Sequence, residues 1–136
     1  MTVVRYALIV AGLGLLAGCS SRPAGEAPGQ ALVLQDVNDL LHATAGTTGR
    51  VPARLADMTP RVQSLYPRGY EAVKSGAVVV LWGAPLKGEG EAGKDEAVVA
   101  YEKAVPADGG YVLLSAGTVK KMSAAEFTAA PKAGTK

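Results

Sequence analysis

The sequence predicts an α+β domain: an N-terminal amphipathic helix packed on a small antiparallel β-meander, preceded by a signal peptide and a flexible tether. Three observations carry this. Apolar residues recur at spacings of three and four over residues 31–45. Short strand-like runs at 77–82, 97–103, 111–115 and 118–121 are joined by loops without crossover helices, so neighbouring strands pair antiparallel. With 136 residues, 49% apolar and 19% charged, there is material for one core and not for two.

Residues 1–18 (MTVVRYALIVAGLGLLAG) carry a single charge, Arg5, followed by an uncharged, largely apolar run over 6–17, and no acidic residue precedes Glu26. A short basic region and then an apolar stretch of roughly 7 to 15 residues is the pattern of a secretory signal. It falls short of the about 20 apolar residues that a spanning helix needs. The junction Leu16-Ala17-Gly18-Cys19 resembles the lipobox of bacterial lipoproteins. That resemblance implies cleavage before Cys19, diacylation of its thiol with palmitate-type chains, and acylation of the new N-terminus. Two or more chains anchor stably where one binds only marginally. Ser20, where an Asp would retain such proteins at the inner membrane, implies the periplasmic leaflet of the outer membrane. The plainer alternative is an ordinary cleaved signal followed by a lone thiol.

Without Arg5 the mature chain holds 13 basic and 12 acidic residues. This balance gives no electrostatic case for nucleic-acid binding or membrane steering. Residues 19–30 (CSSRPAGEAPGQ) lack apolar periodicity and read as the tether, spanning about 20 Å as a coil and roughly 40 Å when stretched.

From residue 31 the elements follow in order. Val33 or Leu34, Val37, Leu40, Leu41 and Thr44 mark the apolar face of a helix over 31–45, and Gly46 is placed to stop it. Residues 47–56 (TTGRVPARLA) read as an irregular turn. Thr59-Pro60 supplies an N-cap and a Pro at the first helical position; the short helix runs to about Tyr66, breaks at Pro67, and a further turn covers 69–75. A buried strand at 77–82 (AVVVLW) is bounded by Gly76 and Gly83. Residues 84–96 form a charged, Gly-rich loop. Strands at 97–103 and 111–115 flank a turn at 107–110, and Ala116-Gly117 turns into a last strand at 118–121. Ser123 and Glu126 fit a capping box with Met122 and Phe127 as a hydrophobic staple. Residues 129–136 read as a frayed, disordered tail, leaving 31–128 as the domain.

Helix, then Gly49-Arg50-Val51-Pro52 and Leu55, resembles the helix and G-R-x-P segment of the type IV pilin and type II secretion pseudopilin family. The strand pair Val98-Val99-Ala100-Tyr101-Glu102-Lys103 and Gly110-Tyr111-Val112-Leu113-Leu114-Ser115, with the turn Ala116-Gly117-Thr118-Val119, is similar to that of a pilin-like branch. The resemblance covers about residues 31–128. It implies a pilin-like fold and a place beside a secretion or pilus apparatus. Two departures qualify it. The family's long apolar helix and prepilin cleavage site are replaced here by the lipobox and tether, so polymerisation is not implied. Ala116 and Thr118 stand where the family has Asp and His, so no role of that turn carries over.

Catalytic chemistry finds little to work with. His42 is the single histidine, read as a solvent or packing residue, and a triad normally needs His as its base. With Cys19 lipidated, no thiol nucleophile and no Cys/His zinc set remain. Glu89, Glu91, Asp95 and Glu96 do not follow the calcium-loop pattern, and Gly88, Gly90 and Gly93 lack the G-K-[ST] ending of a phosphate loop. The expectation is a non-enzymatic chain without metal or cofactor. Trp82, Tyr101 and Tyr111 are the candidate binding face if they line one side of the sheet, and Lys120 and Lys121 guard an edge strand. Together these readings describe a membrane-anchored envelope lipoprotein that binds another protein; the alternative is a small-ligand or peptidoglycan-type glycan-binding module.

Overall fold

The structure, a computed structural model, describes residues 29–88 and 96–134. Residues 1–28, with Leu16, Ala17, Gly18, Cys19 and most of the tether, lie outside the described residues, as do Glu89, Glu91 and Asp95; the last two residues read as tether, Gly29 and Gln30, are already helical. Helix α1 spans Gly29–Thr48 and buries Leu34, Val37, Leu40, Leu41 and Thr44 on one face. It is longer than expected at both ends and runs through Gly46. Thr44, Thr47 and Thr48 each donate a hydroxyl to the carbonyl four residues earlier. The stop is Gly49, whose φ is +71° and whose N–H donates to the Ala45 carbonyl at 2.8 Å. The left-handed conformation that ends a helix sits three residues later than Gly46.

A single helical turn at Leu55–Asp57 follows, then α2 at Pro60–Leu65, whose N-cap Thr59 accepts from the Val62 N–H. Pro67 does more than break the chain: it occupies the opening turn of α3, Pro67–Lys74, where its missing N–H costs nothing. Gly69 presses α3 onto α1 so closely that a Cβ there would lie 2.8 Å from the Asp36 carbonyl carbon.

The sheet is a meander in the order β1 (Val78–Val80), β2 (Val98–Glu102), β3 (Gly110–Leu114), β4 (Val119–Met122), antiparallel throughout. Lys120 and Lys121 stand exposed on the edge strand β4. Between β2 and β3 lies α4, Val105–Asp108, one turn of helix ahead of the expected bend. Helix α5, Ala124–Ala129, follows β4 and opens on the anticipated capping box: Ser123 and Glu126 each accept the other's backbone N–H.

Both faces of the sheet are covered. Val78, Val80, Val99, Ala100 and Leu113 pack against α1 together with Met58 and Val62. On the far face Val98, Val112, Leu114 and Met122 pack under Val105 and Phe127. The alternation of β3, with Leu113 on one side and Val112 and Leu114 on the other, follows from the two-residue period of a strand. A register shift between Val98 and Ala100 breaks that alternation in β2, so that the consecutive residues Val99 and Ala100 face the same core.

The expected frayed tail is a correction. Val98 donates to the Pro131 carbonyl at 2.8 Å and accepts from the Ala133 N–H at 2.9 Å, so Lys132 makes a parallel bridge to β2. Ala133 is buried in the α1-side core. Lys132 sends its ammonium to the Phe127 and Ala130 carbonyls and stands 4.4 Å from the Phe127 ring centre, closing the end of α5. Small, weakly apolar residues carried no periodic signal, yet the backbone of β2 supplies them with hydrogen-bond partners.

Candidate binding groove

A concavity of about 770 Å³ opens at the end of the sheet where β2 and β4 finish and β3 begins. Glu102, Lys103, Asp108, Tyr111, Lys121 and Glu126 supply its polar lining, and Gln30 at the start of α1 joins them. The chain therefore enters the domain beside this groove.

Two consecutive glycines shape its floor. Gly109 has φ +75°, and a Cβ there would stand 2.7 Å from the Met122 carbonyl oxygen; at Gly110 a Cβ would come 2.6 Å from Glu102 Oε2. Backbone at positive φ is open to glycine at little cost. The space so spared lets Glu102 Oε2 accept the Tyr111 N–H at 2.7 Å. On the opposite rim, the Ser123 N–H donates to Glu126 Oε2 at 2.7 Å, and this bond, with Lys120 nearby, holds the Glu126 carboxyl below its usual range. Ser123 Oγ accepts the Glu126 N–H. The hydroxyl and carboxylate of this pair thus serve the helix end. Lys121 lies 5.9 Å from the Tyr111 ring centre. The groove offers cations, carboxylates and one aromatic wall.

The three aromatics expected to form one face do not come together. Tyr101 lies in the far-face core, its ring 4.7 Å from that of Phe127, whereas Tyr111 and Trp82 pack toward the α1 side. Register explains the split. Tyr101 pairs with Val112 and Tyr111 pairs with Lys121, and an offset of one residue sends a side chain to the other face. Of the three, only Tyr111 lines the groove.

His42 lies at the other end of the sheet in a smaller cavity of about 330 Å³, with Asn38, Asp39, Lys87 and the Ala116-Gly117 turn. Among the described residues no three His, Cys, Asp or Glu side chains are grouped to hold a metal. The groove residues Glu102, Gly109 and Gly110 were passed over in the sequence. The Asp108-Gly109-Gly110 run was a visible turn signal, but nothing local tied it to a carboxylate eight residues earlier.

Comparisons with protein-family models, with characterised proteins and with solved structures found no match to this chain. Among the described residues no helix is long and apolar enough to cross a membrane.

Proposed function

We propose that this chain is a membrane-anchored lipoprotein of the cell envelope, facing the periplasm, whose domain binds another envelope protein and does so without catalysing a reaction. Acylated Cys19 is the lipid contact, Leu16-Ala17-Gly18 directs its processing, and Ser20 favours the outer membrane. The observation that carries the reading is the position of Gln30. It lines the groove and stands eleven residues after Cys19 in the sequence, so an acyl anchor at Cys19 holds the groove within about 40 Å of the membrane surface. A long helix that ends at Gly49-Arg50-Val51-Pro52, with an antiparallel meander following two short helices later, supports the pilin-like reading of residues 31–128 and with it an accessory place in a secretion or pilus-like apparatus.

The test is detergent phase separation of the full-length protein and of Cys19→Ser. The wild type should enter the detergent phase and the variant the aqueous phase; equal partition overturns the anchor. Crosslinking of the anchored protein in intact cells should then capture an envelope protein. Capture of peptidoglycan fragments instead transfers the groove to glycan binding.

A further inference from the structure

All four arginines among the described residues, Arg50, Arg54, Arg61 and Arg68, fall within 50–68, and every other cationic side chain there, His42 aside, is a lysine. Over that segment Asp57 is the one acidic residue, so its net charge is +3. The segment runs back along α1. It leaves the helix end at Gly49 and returns to the Asp36–Val37 peptide, where Gly69 packs, a distance of about 18 Å down the helix at 1.5 Å per residue. The four arginines are thus exposed residues of a flanking segment that packs beside α1.

Their acidic partners orient them without covering them. Asp57, with a side chain only 8% exposed, holds Arg50 Nη2 at 3.8 Å and Arg54 Nε at 3.4 Å, while those two side chains remain 72% and 76% exposed. Asp36 takes only the Nε of Arg68, leaving its terminal nitrogens outward. Arg61 is exposed. Between Arg61 and Arg68 stands Leu65, the most exposed large apolar side chain at 61%, on a helix bounded by Pro60 and Pro67.

We infer that this flank is a docking surface for an acidic protein face, one presenting Asp and Glu carboxylates around an apolar socket that receives Leu65. Arginine's planar fork pairs with carboxylates bidentately where lysine offers only a point charge. Arginine is also enriched in protein interfaces. Guanidinium groups already held by Asp57 and Asp36 lose less freedom on docking. An anionic lipid surface asks for charge near the surface, which lysine supplies equally; the exclusive use of arginine around one exposed leucine favours the protein. The inference goes beyond the proposed function in placing a partner on this flank, none of whose residues line the groove, and rests on that reading in taking the partner to be a protein.

The test uses two probes: a fluorescent peptide of alternating Glu and Leu, added to full-length lipidated protein in non-ionic detergent, and phosphatidylglycerol vesicles, added without detergent to the Cys19→Ser protein. The peptide should bind, weaken about tenfold in Arg54→Glu/Arg61→Glu through like-charge repulsion, and weaken about threefold or more when all four arginines become Lys, although the charge is unchanged. Unfolding curves matching wild type show that these variants fold. Absence of peptide binding, equal binding by the four-lysine variant, or arginine-dependent binding to the vesicles in preference to the peptide would each overturn the inference. The peptide measurement repeated on Cys19→Ser keeps the two readings apart, since loss of the anchor leaves peptide binding intact.

Discussion

Arg68 and Asp36 join α3 to α1 through a 2.7 Å bond from Nε to Oδ2, and the residue beside Arg68 in the chain, Gly69, lies against the backbone of that same Asp36. One contact is electrostatic and half-exposed, the other steric and buried. The carboxylate raises the already high guanidinium pKa, but water screens a pair this exposed, so it contributes little to stability. The glycine matters more, because a methyl group at 2.8 Å from a backbone carbon must push two helices apart. We expect Gly69→Ala to destabilise by about 1–3 kcal/mol and Arg68→Ala by clearly less, read from urea midpoints. The reverse order would assign the helix pairing to the ion pair.

Asp57 gives the fold an acid sensitivity. The Ala53 N–H donates to its carboxylate at 2.8 Å; that bond first, and Arg54 and Arg50 after it, hold its pKa below the usual carboxylate range against an opposing push from burial. A carboxyl whose folded pKa lies below its unfolded value binds more protons when unfolded, so stability rises with pH through that interval and falls as the carboxyl is protonated. Asp57→Asn should therefore melt lower than wild type at pH 7, with the gap closing below about pH 4. A gap of equal size at pH 3 would trace the effect to packing.

The groove floor depends on backbone that only glycine adopts freely. Gly109→Ala places a Cβ at positive φ and 2.7 Å from a carbonyl oxygen, at an expected cost of about 1–3 kcal/mol. Because Tyr111 and Lys121 border the same floor, the Tyr111 amide proton resonance should shift in the variant while resonances of α1's C-terminal half stay in place. Shifts spread evenly over the molecule would show the loop to be a general structural joint.

Removing residues 131–136 deletes the partners of both Val98 backbone groups and the buried Ala133. Two backbone hydrogen bonds at about 0.5–1.5 kcal/mol each predict a loss of about 1–3 kcal/mol and faster amide exchange at Val98. Unchanged protection there would show water replacing the segment without cost.

The elements that announced themselves did so through local chemistry. Thr59 and Ser123 accept helix N–H groups three residues on, an interaction contained in four or five residues of sequence, and the α1 face follows from spacing alone. Features that depend on a distant partner stayed hidden. Gly46 and Gly49 are equivalent as letters, and only the folded chain shows Gly49 to be the one in the left-handed conformation. Tyr101 and Tyr111 fall on opposite faces because strand pairing sets their offset. The tail is held by β2, about thirty residues earlier. The groove is least legible of all, being assembled from strand ends, helix ends and a glycine pair that meet only in the folded chain.

The bridge between Lys132 and Val98 also sets an order of assembly. β2 is central to the sheet, yet one side of its first residue stays open until the chain has been made as far as Ala133. A nascent chain halted short of that point carries an unfinished central strand whose free N–H and C=O invite other strands. The edge of β2 at Val98 is therefore closed only once the segment through Ala133 is in place.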